Sequence, residues 1–175
     1  MVLWISRASI GAALGFLAVC LVCFAAGLRV NTTKSIPVGI YRLTDVPVGK
    51  GEYVIFCPPQ TALFDEARSR GYIGPGFCPG SHGYMMKQVA GVAGDVVAST
   101  DEGIAVNGTL LLASVPKKAD SAGRVLPRYT FSGYTLKGPE LLLMSDVSGT
   151  SFDDRHFGPV NAGQIRGVIK PLVTF

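Results

Sequence analysis

Hydrophobic positions fall into two regimes along the chain. One uninterrupted apolar run, "SIGAALGFLAVCLVCFAAGL", extends from Ser9 to Leu28 without a charge. At about 1.5 Å per helical residue it reaches roughly 30 Å, the thickness of a bilayer core, and predicts a transmembrane helix. A cleavable signal peptide is the rival reading, because the run ends in small residues. Its apolar stretch is longer than the roughly 7–15 residues of a signal-peptide core, which favours an uncleaved anchor. Beyond it, short β-rich stretches recur between Gly, Pro and Asn turns: "VGIYRL", "EYVIF", "GYMMKQVAG", "DVVAS", "GIAV", "LLLAS", "ELLLMS" and "IRGVIKPLVTF". These predict a mainly β protein. The Asn-Gly in "AVNGTLLL" predicts a hairpin at about Ile104 to Leu112, since a type I′ turn needs positive φ at both central residues. One soluble helix is expected in "TALFDEARSRG", with Leu63, Ala67 and Arg70 on neighbouring turns and Gly71 ending it. Residues 114–139 are polar and turn-rich, and read as a flap or small inserted subdomain rather than core.

With 175 residues, 48% of them hydrophobic and 16% charged, the chain can fill one soluble core, and the anchor accounts for its apolar excess. The net charge of +4 is spread thinly, with "PKK" at 116–118 the densest soluble cluster. That excludes a nucleic-acid footprint and fits a basic surface near lipid headgroups. Orientation is contested. Arg7 stands before the run and Arg29, Lys34 and Arg42 after it, so the positive-inside count puts the domain in the cytoplasm, although long domains cross largely regardless of charge. The cysteines point the other way. Cys20 and Cys23 lie in the apolar run, which leaves Cys57 and Cys78 as the soluble pair. A disulfide between them would close a loop of about 20 residues, worth roughly 3 kcal/mol, and would imply an oxidising compartment. Two buried free thiols are the alternative.

Three separated stretches carry candidate chemistry. In "NTTKSIPVGIYRL", Ser35 precedes Ile36-Pro37, and proline fixes its own φ while biasing its neighbour toward extended geometry. A hydroxyl held on a stiff turn results, although alone it reads as an ordinary loop serine. In "GYMMKQVAGVAGD", strand alternation places Met85, Lys87 and Val89 on one face. Desolvation there would lower the Lys87 pKa, and a neutral lysine can serve as general base toward a hydroxyl. An edge-strand lysine that snorkels to water is the competing reading. In "MSDVSGTSFDDRHFGPV", Ser145, Asp146, Ser148, Ser151, Asp153, Asp154, Arg155 and His156 crowd one loop. Asp153 and Arg155 are placed to brace one another, with a solvated turn as the alternative.

Taken together, "SIPVGIY", "KQVAGVAGD" and "SFDDRHFGPV" resemble, in order and spacing after an anchor, the three boxes of the signal peptidase I clan. The first box departs from the common bacterial Ser-Met-x-Pro and is similar to that of the TraF-type peptidases of conjugative transfer. Asp154 stands where the clan often has serine. The resemblance implies a signal-peptidase-like β-fold with one N-terminal transmembrane helix. It implies a tail and anchor over residues 1–30 and a periplasmic peptidase domain over 31–175 at the bacterial inner membrane, with the flap or subdomain at about 99–139.

The activity implied is that of a Ser-Lys serine endopeptidase. Ser35 is the nucleophile and Lys87 the base. The Ser35 N–H and Thr33 serve the oxyanion, Ser151 orients Lys87, and Asp153 and Arg155 fix the loop. His82 and His156 receive no catalytic role, and no metal or cofactor is expected. The implied partners are a pilin precursor, processed by cutting or by cyclisation, the inner-membrane lipid, and mating-pair-formation or secretion components. A general preprotein signal peptidase and a non-catalytic, membrane-anchored channel subunit are the alternatives.

Overall fold

The computed structural model describes residues 2–175, with side chains described from Ser9 onward. In chain order the elements are helix α1 (Val2–Ala25), strands β1 (Leu28–Asn31), β2 (Gly39–Thr44) and β3 (Tyr53–Phe56), and helix α2 (Ala62–Ser69). Strands β4 (Pro75–Cys78), β5 (Met85–Gly91), β6 (Val96–Thr100), β7 (Gly103–Val106), β8 (Thr109–Leu110), β9 (Tyr134–Thr135) and β10 (Glu140–Met144) follow. Helix α3 (Asp154–Phe157), β11 (Val160–Asn161) and β12 (Ile165–Thr174) complete the chain. The fold is mainly β, as expected.

The expected anchor differs in extent. α1 stops at Ala25 and Gly27 turns the chain with φ +83°. Leu28, expected in the apolar helix, instead opens β1 and pairs with Arg42 of β2. The β domain therefore begins at Leu28 rather than at residue 31. Among the described residues no helix is long and apolar enough to cross a membrane. Arg7, on which the orientation argument leaned, lies outside the described side chains.

Two antiparallel sheets are built. A seven-stranded sheet runs in the order β1-β2-β12-β3-β5-β10-β11, and a four-stranded one in the order β8-β7-β6-β9. The first packs α2 and α3 against Val54, Phe56, Met85, Val89 and Val168, while Val97, Ile104 and Val106 fill the second core. β10 serves both. Leu141 and Leu143 point into the first core, Leu142 and Met144 into the second. A strand buried on both faces needs a continuous apolar run, which is why "LLLM" lacks alternation. Each such leucine contributes about 1.5–3 kcal/mol of burial.

Local signals hold where turn chemistry is strong. Asn107 and Gly108 take φ of 50° and 79° between β7 and β8, the type I′ geometry expected. β8 is shorter than "LLLAS" suggested, ending at Leu110. α2 ends in a Schellman closure, with Tyr72 N–H donating to Ala67 O and Gly71 N–H to Arg68 O, and Gly71 at φ +80°. Its buried face is Phe64 and Ala67, one position round from the expected Leu63.

The segment 114–139 is not uniformly a flap. Ser114, Phe131 and Leu136 are buried, and β9 belongs to the second sheet, so only the stretch between them lies outside the core. That stretch is fastened down. Arg70 Nη1 donates to Val125 O at 2.7 Å, His156 Nδ1 to Pro127 O at 2.7 Å, and Tyr129 N–H to Arg155 O at 2.8 Å.

Candidate active site

Ser35 lies in the connection between β1 and β2, half-buried and followed by a buried isoleucine. Ile36 is fully buried against Tyr41, Ile55 and Ile169, so the residue after the serine cannot move without opening a core cluster. Asn31, itself buried, ties the loop from inside. Its Nδ2 donates to the carbonyls of Thr33, Ile36 and Pro37 at 2.8–3.1 Å, and its Oδ1 accepts from the Thr33 N–H and hydroxyl. Tyr41 Oη adds a 2.6 Å bond to Pro37 O. Thr33 donates its hydroxyl hydrogen to Asn31 at 2.9 Å. In this geometry Thr33 braces the loop and lines the cleft that also holds Ser35.

Lys87 sits in β5 opposite Val54, with Met85 and Val89 buried on the same face, as alternation predicts. It is 2% exposed, so it does not snorkel. Burial pulls its pKa from 10.5 down to about 8, against the pull of Asp153, while Arg155 pushes further down. Among the described residues, its Nζ has one side-chain hydrogen-bond partner, Ser151 Oγ at 2.9 Å.

Ser35 and Lys87 line one cleft of about 250 Å³, together with Val30, Tyr84 and Met86. A smaller groove of about 170 Å³ that also includes Ser35 brings in Ser148, Thr150 and Ser151. Tyr72 and Phe152 wall both. The boxed serine, the buried amine and the third loop thus meet at one place.

The third loop is buried, not solvated. Arg155 is wholly enclosed and grips both carboxylate oxygens of Asp153, through Nε at 2.7 Å and Nη2 at 2.6 Å. Its remaining N–H groups donate to the carbonyls of Ala113, Val115, Ser148, Gly149 and Ser151. Asp153 also caps α3 and accepts from the Ser145 N–H. A planar guanidinium with five donors can organise one loop in this way, and a lysine cannot. Asp154 is buried beside it and accepts from the Leu143 N–H, while among the described residues its other oxygen has no hydrogen-bond partner. Burial, reinforced by Asp153, raises its pKa well above the ordinary carboxylate value. His156, whose pKa is lowered by burial, stacks on Phe152 at 5.6 Å and serves packing. His82 is buried away from the cleft, with Nδ1 against Pro79 O.

A family model described as signal peptidase, peptidase S26, matches residues 2–173. The chain belongs to the S26 signal peptidase family. Among the relatives of this S26 chain are two plasmid transfer proteins TraF of Escherichia coli. One is 60% identical over 87% of this chain and 85% of the relative, and the other is 59% identical over 87% and 86%. A conjugal transfer protein TraF of Agrobacterium fabrum is 36% identical over 85% of this chain and 84% of its own. These likenesses place the chain in the TraF group of the family, and the family is one of serine peptidases. A crystal structure of a signal peptidase I from Enterococcus faecalis overlaps loosely, with TM-score 0.43 and 16% identity, over 73% of this chain and 100% of that one.

In this S26 member, Cys57 and Cys78 are joined, tying the end of β3 to β4 around α2. Among the described residues no group of three or more metal-ligating side chains is present. Asn31, Tyr41 and Tyr72 were not singled out from the sequence. A lone asparagine four residues before a serine carries no signal, whereas Tyr72 had one. It directly follows the glycine closing α2, the place where a Schellman ending folds a side chain back.

Proposed function

We propose that the chain is a membrane-anchored serine endopeptidase that processes a pilin precursor for conjugative transfer and joins the product into a ring. The observation that carries the chemistry is the buried Lys87 amine, with its pKa near 8, lining one cleft with Ser35. Ser35 Oγ attacks the scissile carbonyl while neutral Lys87 takes its proton, and the Ser35 N–H faces the developing oxyanion. Lys87 returns the proton to the departing amine, leaving an ester on Ser35. The pilin's own N-terminal amine then attacks that ester, gives its proton to Lys87 and restores Ser35. Intramolecular attack has an effective concentration far above that of any free amine. Ser151 holds Lys87 in place between these steps, and the Asp153–Arg155 pair fixes Ser151.

The relatives named as plasmid transfer proteins support a role in conjugation. Ile10, Leu14, Phe16 and Leu17 of α1 are exposed and apolar, which supports an inner-membrane anchor. The Cys57–Cys78 bond supports a periplasmic domain. A non-catalytic channel subunit would gain nothing from burying an amine. Mass spectrometry of candidate pilin precursors co-expressed with the wild type and with Ser35→Ala tests the reading. A head-to-tail product lighter by one water than the processed linear form, absent with Ser35→Ala, is expected. A linear product alone sinks the ring closure, and processing that survives Ser35→Ala sinks the mechanism.

A further inference from the structure

Two lysines line the spaces beside Ser35 without a partner. Lys34, the residue before the nucleophile, borders the groove of about 170 Å³ with Ser148, Thr150 and Ser151. Lys117 borders a larger cavity of about 450 Å³, which shares Tyr72, Thr150 and Phe152 with that groove, so the two spaces adjoin. Lys50 and Lys170 are engaged by Asp95 and Glu52. Among the described residues neither Lys34 nor Lys117 has an ion-pair or hydrogen-bond partner for its ammonium, and both are exposed.

The lining offers these cations no internal counter-charge. Among the described residues Asp120 is the one carboxylate on either space, and its oxygens are already taken up. Oδ2 accepts from Tyr72 Oη at 2.5 Å and from Arg124 Nε at 2.7 Å, and Oδ1 accepts from the N–H groups of Ala122 and Arg124 at 2.9 Å. Arg124 matches its charge, and the buried Asp153 is likewise held by Arg155. Hydroxyls complete the lining. Ser148 Oγ and Thr150 Oγ1 bond to one another at 3.0 Å, which uses one of their two hydrogens and leaves the other to donate. Free ammonium groups beside a spare O–H are the donors that a carboxylate accepts from.

Both lysines stand on fastened backbone. Asn31 ties the loop of Lys34 through the carbonyls of Thr33, Ile36 and Pro37. The segment of Lys117 is pinned at Asp120 by Tyr72, at Val125 by Arg70, and at Lys118, whose carbonyl accepts from the Leu126 N–H at 3.0 Å. We propose that the groove and the adjoining cavity form a recognition site for an acidic segment of the substrate polypeptide, with Lys34 and Lys117 reading its carboxylates close to the scissile bond. The inference rests on the Ser35–Lys87 reading, which makes the groove at Ser35 a place where substrate lies. It adds a charge requirement to that reading. Substrates with Asp or Glu beside the cleaved bond are selected, and amide or basic counterparts are rejected.

The test uses the full chain in detergent and its turnover of N-acetyl-trialanine benzyl thioester, which carries no charge. Alanine octapeptides blocked at both ends, with glutamate, glutamine or lysine at the same two positions, are added as competitors. The ratio of their inhibition constants is read within each protein, so a variant's overall rate drops out. An exposed ion pair contributes up to about fivefold in affinity, so the glutamate peptide should inhibit the wild type about fivefold or more better than the glutamine peptide. Lys34→Gln combined with Lys117→Gln should bring the two peptides within about twofold, and Lys34→Glu combined with Lys117→Glu should reverse the ranking in favour of the lysine peptide. Equal inhibition by the glutamate and glutamine peptides in the wild type, or a glutamate preference that survives the double glutamine variant, overturns the site while turnover by Ser35 stands. Thioester consumption no faster than by Ser35→Ala overturns the Ser-Lys reading itself, and the site with it.

Discussion

Lys87 costs the fold stability, and the sign of that cost is open to measurement. Its native pKa near 8 against 10.5 when unfolded corresponds to about 3 kcal/mol. Below pH 8 both states hold the proton and the whole penalty applies. Between pH 8 and 10.5 the unfolded chain holds more protons, so stability climbs with pH. Lys87→Met should therefore raise the melting temperature at pH 7, with the gain shrinking toward pH 10.5 and peptidase activity abolished. Thermal scans of both proteins across that range check it, and a loss of stability at pH 7 would refute it. In the wild type kcat/KM should rise through about pH 8, and Lys87→Arg should be inactive because guanidinium stays protonated. Asp154 works in the opposite sense. The native carboxyl keeps its proton where the unfolded one has lost it, so stability falls as pH rises above the ordinary carboxylate range. Asp154→Asn keeps an acceptor for the Leu143 N–H and ends the titration. It should melt higher than wild type at pH 7 and alike near pH 4, as differential scanning calorimetry would show. The Lys87 face was legible from alternation alone. The commitment of Thr33 to Asn31 was not, because a side-chain amide bonding three carbonyls across a turn leaves no periodic trace.

At the scale of elements, the third loop behaves as one unit built on Arg155. Its guanidinium holds Asp153 and five carbonyls, so replacing it strands a buried carboxylate and opens the loop that carries Ser151. Arg155→Lys should cost about 3–5 kcal/mol in urea unfolding and remove most activity at temperatures where the domain is still folded. A loss under about 1 kcal/mol would mean the loop is held by something else. The sequence showed this cluster as a dense polar loop, but not that it was buried, because enclosure comes from β10, α3 and the segment near Ala113 closing on it. Elements with local chemistry were readable: the Asn107-Gly108 hairpin and the Gly71 ending of α2. β1, β4, β9 and β11 were not, since two- to four-residue strands are fixed by their partners and not by their own pattern.

The largest misreading concerned the whole molecule, where the apolar run hid the first strand. Leu28 is as apolar as the helix before it, and only pairing with Arg42 shows that it belongs to the sheet. A chain starting at Ala26 should keep the fold, whereas one starting at Thr32 loses β1 and Asn31 together. Circular dichroism melts should place the second at least 10 °C below the first, roughly the effect of 2–3 kcal/mol in a domain of this size, and equal melts would return the boundary to residue 31. Strand order was likewise beyond reach of pattern, because β12 lies between β2 and β3 although more than a hundred residues separate them in the chain. That insertion sets a timetable. Synthesis delivers β2 early with its neighbour β1, and β3 with β5 soon after, yet the two halves are joined only when Ile165–Thr174 has emerged, so the seven-stranded sheet stays split through most of translation. Ile169 belongs to the cluster that seats Ile36. The nucleophile's loop is thus set by the last strand to arrive, and a half-made chain is an unarmed one.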